Sequence, residues 1–195
     1  MKVILCPAVF LMLLPSCIKE QDYKPTLPGI TTSGANTLGF IYGESSIWTS
    51  LYNSIDLFGA SRYIPLASCT LQYYQDSSAS FDIRGDMYLK TKKGTVTDNS
   101  NFEIFLNKAV FTNKTYLFDT INVSRAIFEN SLINKKYYNT PNTFILTVTN
   151  IDTSKQIISG LFSGILYHFN NNTGYNIDDS LKIHEGRFDI TYFHF

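Results

Sequence analysis

Charge is scarce in this chain of 195 residues. Asp, Glu, Lys and Arg make up 16% of it, against roughly 25% in an ordinary globular protein. The 16 basic side chains are offset by 16 acidic ones. Duplex recognition needs a basic footprint, so nucleic acid is excluded as a partner. Tryptophan occurs once, and cysteine three times, at Cys6, Cys17 and Cys69. Without a CxxC or CxxH pair the cysteines match no zinc pattern. GxSxG, the P-loop, GxGxxG, HExxH and the EF-hand loop are all missing too. No cofactor is expected.

Aromatic residues are plentiful instead. Hydrophobic residues reach 44% and aromatic ones 15%, with 13 Tyr and 15 Phe. That is ample for the core of one domain, and too rich for a disordered chain. Surface polarity must come from Asn, Ser and Thr, a composition that suits an extracellular β-protein.

The N-terminus carries a targeting signal. Lys2 precedes an apolar run from Val3 to Leu14, interrupted at Pro7. A helical span needs about 20 residues to cross a bilayer, so the run is a signal peptide rather than an anchor. It ends in Leu14-Pro15-Ser16-Cys17, which resembles a bacterial lipobox. The resemblance implies cleavage before Cys17 and acylation of its sulfur and new amino group, making the membrane a partner through lipid on Cys17. A single acyl chain anchors only marginally, at ~0.8 kcal/mol per buried CH₂, whereas two or more hold stably. An acylated sulfur cannot enter a disulfide. Cys69 is then the free thiol of the mature chain and is expected to pack as a small buried apolar residue. The following Ile18-Lys19-Glu20-Gln21-Asp22 resembles the Lys-then-acidic export signal of Bacteroidetes surface lipoproteins. It implies an outer-membrane protein displayed at the cell surface.

Three regions are expected. Residues 1–16 are the signal peptide. Residues 17–37 are the acylated cysteine and a flexible tether, marked by Pro25, Pro28, Gly29 and Gly34. Residues 38–195 form one all-β domain, an antiparallel β-sandwich or a barrel. Phe81, Ile83, Met87 and Leu89 alternate with Asp82, Arg84, Asp86 and Lys90, the period of two that gives a strand one apolar face. Thr143 to Ile151 repeats the style in Thr-rich form. Near the C-terminus the apolar parity changes between Ile183 and Phe188, which predicts a β-bulge at Gly186. Asn170 to Gly174 reads as a turn. Only Val123 to Lys135, with Ala126, Ile127 and Leu132, has helix-like spacing, so a short helix is expected there.

Longer stretches carry a family resemblance. Leu27 to Phe40 (LPGITTSGANTLGF) resembles the "LPPxTxxGxNTFGC" opening of uncharacterised Bacteroidetes putative lipoproteins. Glu44 to Trp48 stands where that family has "NGxxW". Ile158 to Gly164 is similar to its "ISGxFxF" strand, and Ile183 to Tyr192 to its "IxxGRFDxxY" close. Gly29 replaces a Pro of the family and Phe40 its usual Cys, so no bridge from position 40 to Cys69 can form. The family has no established activity, and the resemblance implies location and β-fold only.

Candidate chemistry is sparse. No metal site is expected. His168 and His184 come nearest to one, since a hairpin of the last two strands would set them diagonally across the ladder. Asp82 and Asp86 are the carboxylate pair a glycoside hydrolase would need, but on an outward strand face they read as solvated charge. The aromatics Trp48, Tyr73, Tyr74, Tyr137 and Tyr138 are candidate ligand-facing residues. Adjacent tyrosines on a strand put one ring on each face, and an outward ring suits stacking on a sugar or a protein partner. Asp119-Thr120-Ile121 and Asp179-Ser180-Leu181 resemble an O-glycosylation motif of Bacteroidetes exported proteins, which points to Thr120 and Ser180. The leading expectation is a non-catalytic binding module with a glycan or an envelope protein as partner. The alternative is a hydrolase of envelope or dietary glycans with a carboxylate or histidine site.

Overall fold

The computed structural model describes residues 23–55, 61–73, 79–91, 95–109, 114–119 and 124–194. The signal peptide, Cys17, Tyr74 and Thr120 lie outside these described residues. Twelve strands are present and, among the described residues, no helix: β1 (Thr37–Tyr42), β2 (Ser46–Thr49), β3 (Leu51–Ile55), β4 (Ser61–Pro65), β5 (Ala67–Tyr73), β6 (Ala79–Lys90), β7 (Val96–Ala109), β8 (Lys114–Leu117), β9 (Arg125–Asn130), β10 (Lys135–Asp152), β11 (Ile157–Asn170) and β12 (Gly174–His194). The all-β class follows from the period-two alternation. In β6, Phe81, Ile83 and Met87 are buried while Arg84 and Asp86 face solvent.

Seven strands close into a ring in the order β5-β6-β7-β9-β10-β11-β12. Each neighbouring pair runs antiparallel except the seam, where β12 meets β5 in parallel from Tyr192 opposite Cys69 to His194 opposite Leu71. Closure removes the strand edges that an open sheet would leave unpaired. Of the two architectures expected, the chain builds the barrel.

The seam is short, so β12 and β6 extend beyond it with free edges. There β1 and β2 add to β12, while β3 and β4 add to β6. Two side chains join these additions to the barrel. The Ser50 hydroxyl donates to the carbonyl of Asp86 at 3.2 Å and accepts its N–H at 3.1 Å. The Asn53 amide does the same for Lys90, at 2.8 Å in both directions. Each substitutes for a pair of ladder bonds, leaving no orphaned backbone groups at these two residues.

Aromatic rings fill the interior. Phe40 stacks on Trp48 with centroids 5.0 Å apart and touches Phe102 at 4.8 Å. Phe102 stacks on Phe162 at 5.3 Å. The position where the resembling family has Cys thus holds a fully buried ring at the centre of the core. Cys69 is buried and free, as expected, with its thiol pushed up by burial and by the charge of Asp82.

The bulge in β12 falls one residue before its expected position. Phe162 pairs with Gly186 and Gly164 with Ile183, so β12 spends one extra residue there. The positive φ of 51° belongs to Glu185. Gly186 answers a different need: a Cβ there would run into the Phe162 ring. The parity change works as predicted, with Ile183, Phe188, Ile190 and Tyr192 all buried.

Two expectations are corrected. The stretch read as a short helix is β9 followed by a turn at 131–134 and the start of β10. Its Ala126 and Phe128 are buried by pairing with β7 rather than by helical packing. The residues read as the second half of a flexible tether lie packed on the barrel. Tyr23 stacks on Tyr63 at 4.6 Å, Pro28 lies against Gly39, and residues 31–36 bind β12.

Candidate functional site

Within the strap formed by residues 23–36, residues 31–35 are gathered on one carboxylate. Asp189 is buried in β12 and accepts the N–H groups of Ser33 and Gly34 at 2.9 Å each. It also accepts the hydroxyls of Thr31, Ser33 and Ser159. Burial alone would raise this carboxyl, but the bonds from Thr31, Gly34, Ser159 and Ser33 outweigh it and hold its pKa below the usual carboxylate range. Asn36, in the left-handed region at φ 55°, accepts the N–H of Thr191 at 2.9 Å. The opening and closing stretches singled out in the sequence therefore meet in space as one clasp. Every acceptor site of Asp189 is turned to the protein's own chain, so the clasp is structural.

A cleft of about 500 Å³ opens at the barrel rim, between the 131–134 turn and the 171–173 turn. The β9–β10 side contributes Glu129, Asn134, Lys135, Lys136 and Tyr138; the β11–β12 side contributes His168, Phe169 and Asn170 to Asn172. These residues reach the rim because β10 and β11 are long strands whose ends project past the core. On one side three rings run in a row: Tyr138 meets Phe169 edge-on at 5.7 Å, and Phe169 meets Tyr175 at 5.1 Å. Tyr175 is 48% exposed. Lys136 lies 5.7 Å over the Tyr138 ring and 3.1 Å from the Glu129 carboxylate.

Lys135 and His168 of the cleft wall belong to a compact polar cluster. The Asp179 carboxylate accepts Lys135 Nζ at 2.7 Å and the Tyr137 hydroxyl at 3.1 Å, with His168 Nδ1 at 3.4 Å. The Lys135 bond chiefly holds the Asp179 carboxyl low, and the same bond raises Lys135. Lysines and carboxylates cancel in pairs here, Lys135 with Asp179 and Lys136 with Glu129. Beside these neutralised pairs a ligand meets amides, a hydroxyl and aromatic faces.

The structure sorts the sequence candidates. Tyr137 and Tyr138 do point to opposite faces: Tyr137 is buried over Asp179, and Tyr138 lines the cleft. Trp48 is only 2% exposed, with its indole N–H donating to Ser100 Oγ at 2.9 Å, so it is a core residue and faces no ligand. Tyr73 is exposed at the opposite end of the barrel. His168 sits opposite Asn176, whereas His184 lies beside β1, 3.4 Å from the Gly43 carbonyl. The two histidines do not share a site, and no group of three metal-ligating side chains occurs among the described residues. Asp82 is paired to Arg84 at 2.7 Å on the outer wall. Ser180 is exposed on β12 beside Asp179. Sequence reading missed Phe169 and the Asn170–Asn172 wall as one unit. The signal was there, in an Asn-rich turn flanked by aromatics on both sides.

No protein-family model, curated protein sequence or solved structure matches this chain.

Proposed function

We propose that this is an outer-membrane lipoprotein, acylated on Cys17 and kin to the Bacteroidetes lipoproteins its sequence resembles, which displays a non-catalytic barrel that binds a neutral glycan. The carrying observation is the rim cleft. It combines the Tyr138 and Phe169 rings with the Asn134 and Asn170–Asn172 amides, and its two lysines are each paired to a carboxylate. Sugar rings present apolar C–H faces to aromatic planes and hydroxyls to amides, so this surface matches both. The cleft volume lies within the ordinary range for small-ligand sites, roughly 300–1,000 Å³. A protein partner, by contrast, asks for a broad patch rather than a concave polar slot.

A thermal-shift screen of the chain against neutral and acidic oligosaccharides tests this reading. A ligand at 100 times its dissociation constant adds about 2.7 kcal/mol. For a domain of this size each kcal/mol raises the Tm by about 2–4 °C. A neutral oligosaccharide is expected to raise the Tm and to come through unchanged in chain length. Shortened products would instead favour the hydrolase reading, and no shift with any sugar would refute the glycan site.

A further inference from the structure

The lipid-linked reading of Cys17 has a geometric consequence, and the inference drawn here rests on that reading. Six residue steps separate Cys17 from Tyr23, where the chain is already stacked on Tyr63 of β4. A fully extended chain covers at most about 3.6 Å per residue, so the surface around β4 stays within roughly 20 Å of the acylated cysteine. A domain held that close presents the same flank to the bilayer much of the time.

That flank is unusually apolar. Ile64 on β4 pairs with Tyr52 on β3, and Tyr52 pairs with Tyr88 on β6, giving one row across three strands. The Tyr52 and Tyr88 rings stack at 5.8 Å, and Lys90 lies 4.9 Å over Tyr88. Ile64 is 47% exposed, and Leu66, just past the end of β4, is 41% exposed. Tyr63, stacked under Tyr23 on the other face, is still 40% exposed. Aliphatic side chains at an edge, tyrosines behind them and a lysine reaching past its ring is the composition of a membrane-interface contact. Tyrosine is amphipathic and settles at headgroup level, and lysine lays its stem on apolar surface with its ammonium in water. Among the described residues β4 is also the last strand on its side of the sheet.

We propose that the β4–β3–β6 ledge, centred on Ile64, Leu66, Tyr52 and Tyr88, rests on the lipid surface and fixes the orientation of the barrel on its anchor. The rim cleft is built from β9, β10, β11 and the 171–173 turn, none of which contributes a side chain to this ledge.

Site-directed spin labelling of the mature, acylated chain tests the orientation. Acylation occupies Cys17 and burial protects Cys69, so an introduced cysteine takes the nitroxide. Variants I64C and N171C are labelled and reconstituted into phosphatidylethanolamine–phosphatidylglycerol vesicles. At position 64 the ratio of oxygen to nickel-chelate accessibility is expected to exceed that at position 171 several-fold. Equal ratios in protein that floats with the vesicles would overturn the ledge while leaving the anchor standing. Protein that fails to float would overturn the anchor and the ledge with it. A label at 64 shielded from both reagents would place a second copy or another protein there, which also overturns the lipid contact.

Discussion

The Asp189 carboxylate accepts the backbone N–H of Gly34 at 2.9 Å, across 155 positions of sequence. This bond and its companions join residues 31–35 to the last strand. Removing the carboxylate in D189A leaves the N–H groups of Ser33 and Gly34 without their acceptor. A charge-assisted hydrogen bond contributes about 1.5–3 kcal/mol, and the several at Asp189 are not additive, so a loss of about 3 kcal/mol is expected. Chemical denaturation measures it. Limited proteolysis adds a local readout, since D189A should become cleavable at Lys24 under conditions where the parent chain is resistant.

The same carboxylate gives a pH dependence of definite sign. Its folded pKa lies below the unfolded value of about 3.9, so its contribution is complete above that value and is lost as pH falls through the folded pKa. Acid unfolding of the parent chain should therefore steepen below about pH 4. In D189N the slope in that window should be shallower. Equal slopes in the two proteins would show that Asp189 is not depressed.

Trp48 gives the core a spectroscopic reporter. Stacked on Phe40 and hydrogen-bonded to Ser100, it should emit at short wavelength and resist iodide quenching. Adding glycan should leave that emission unchanged. Truncation in W48A is expected to cost about 3–5 kcal/mol, the range for large aromatic residues in a core.

The bulge in β12 separates two neighbours that look alike in sequence. At Glu185 the left-handed backbone costs a non-glycine residue about 1 kcal/mol, so E185G should raise stability by about that amount. At Gly186 the Phe162 ring leaves no space, and G186A should lower stability by about 1–3 kcal/mol through overpacking. Equilibrium unfolding of both variants checks the assignment. If E185G destabilised the fold, the bulge would have to lie elsewhere.

How much of this was legible in the sequence follows from the range of the interactions involved. Strand patterning is local, so Phe81, Ile83 and Met87 announced β6 and its buried face directly. The parity change announced the β12 bulge to within one residue. Spacing at Ala126, Ile127 and Leu132 misled because β9 is short and its turn follows at once, so three apolar residues matched a helical period by coincidence. The strap has the composition of a tether, and its bonds run to a carboxylate far away in sequence. Pro28 and Gly34 look the same in a linker as in a docked segment. Tyr138 was found through the rule that adjacent residues on a strand face opposite ways. Trp48 turns inward, and an aromatic at a hairpin says nothing of whether the hairpin folds over the core. Barrel closure was not readable, since it rests on the three-residue parallel seam between Cys69 and Tyr192.

The rim cleft is tested most directly by calorimetric titration of a neutral oligosaccharide into the parent chain, Y138A and W48F. Loss of one stacking face is expected to weaken binding about tenfold, the equivalent of about 1.4 kcal/mol. W48F, altered only in the core, should bind as the parent does. If Y138A binds the sugar as tightly as the parent, the Tyr138–Phe169 cleft is not the glycan site.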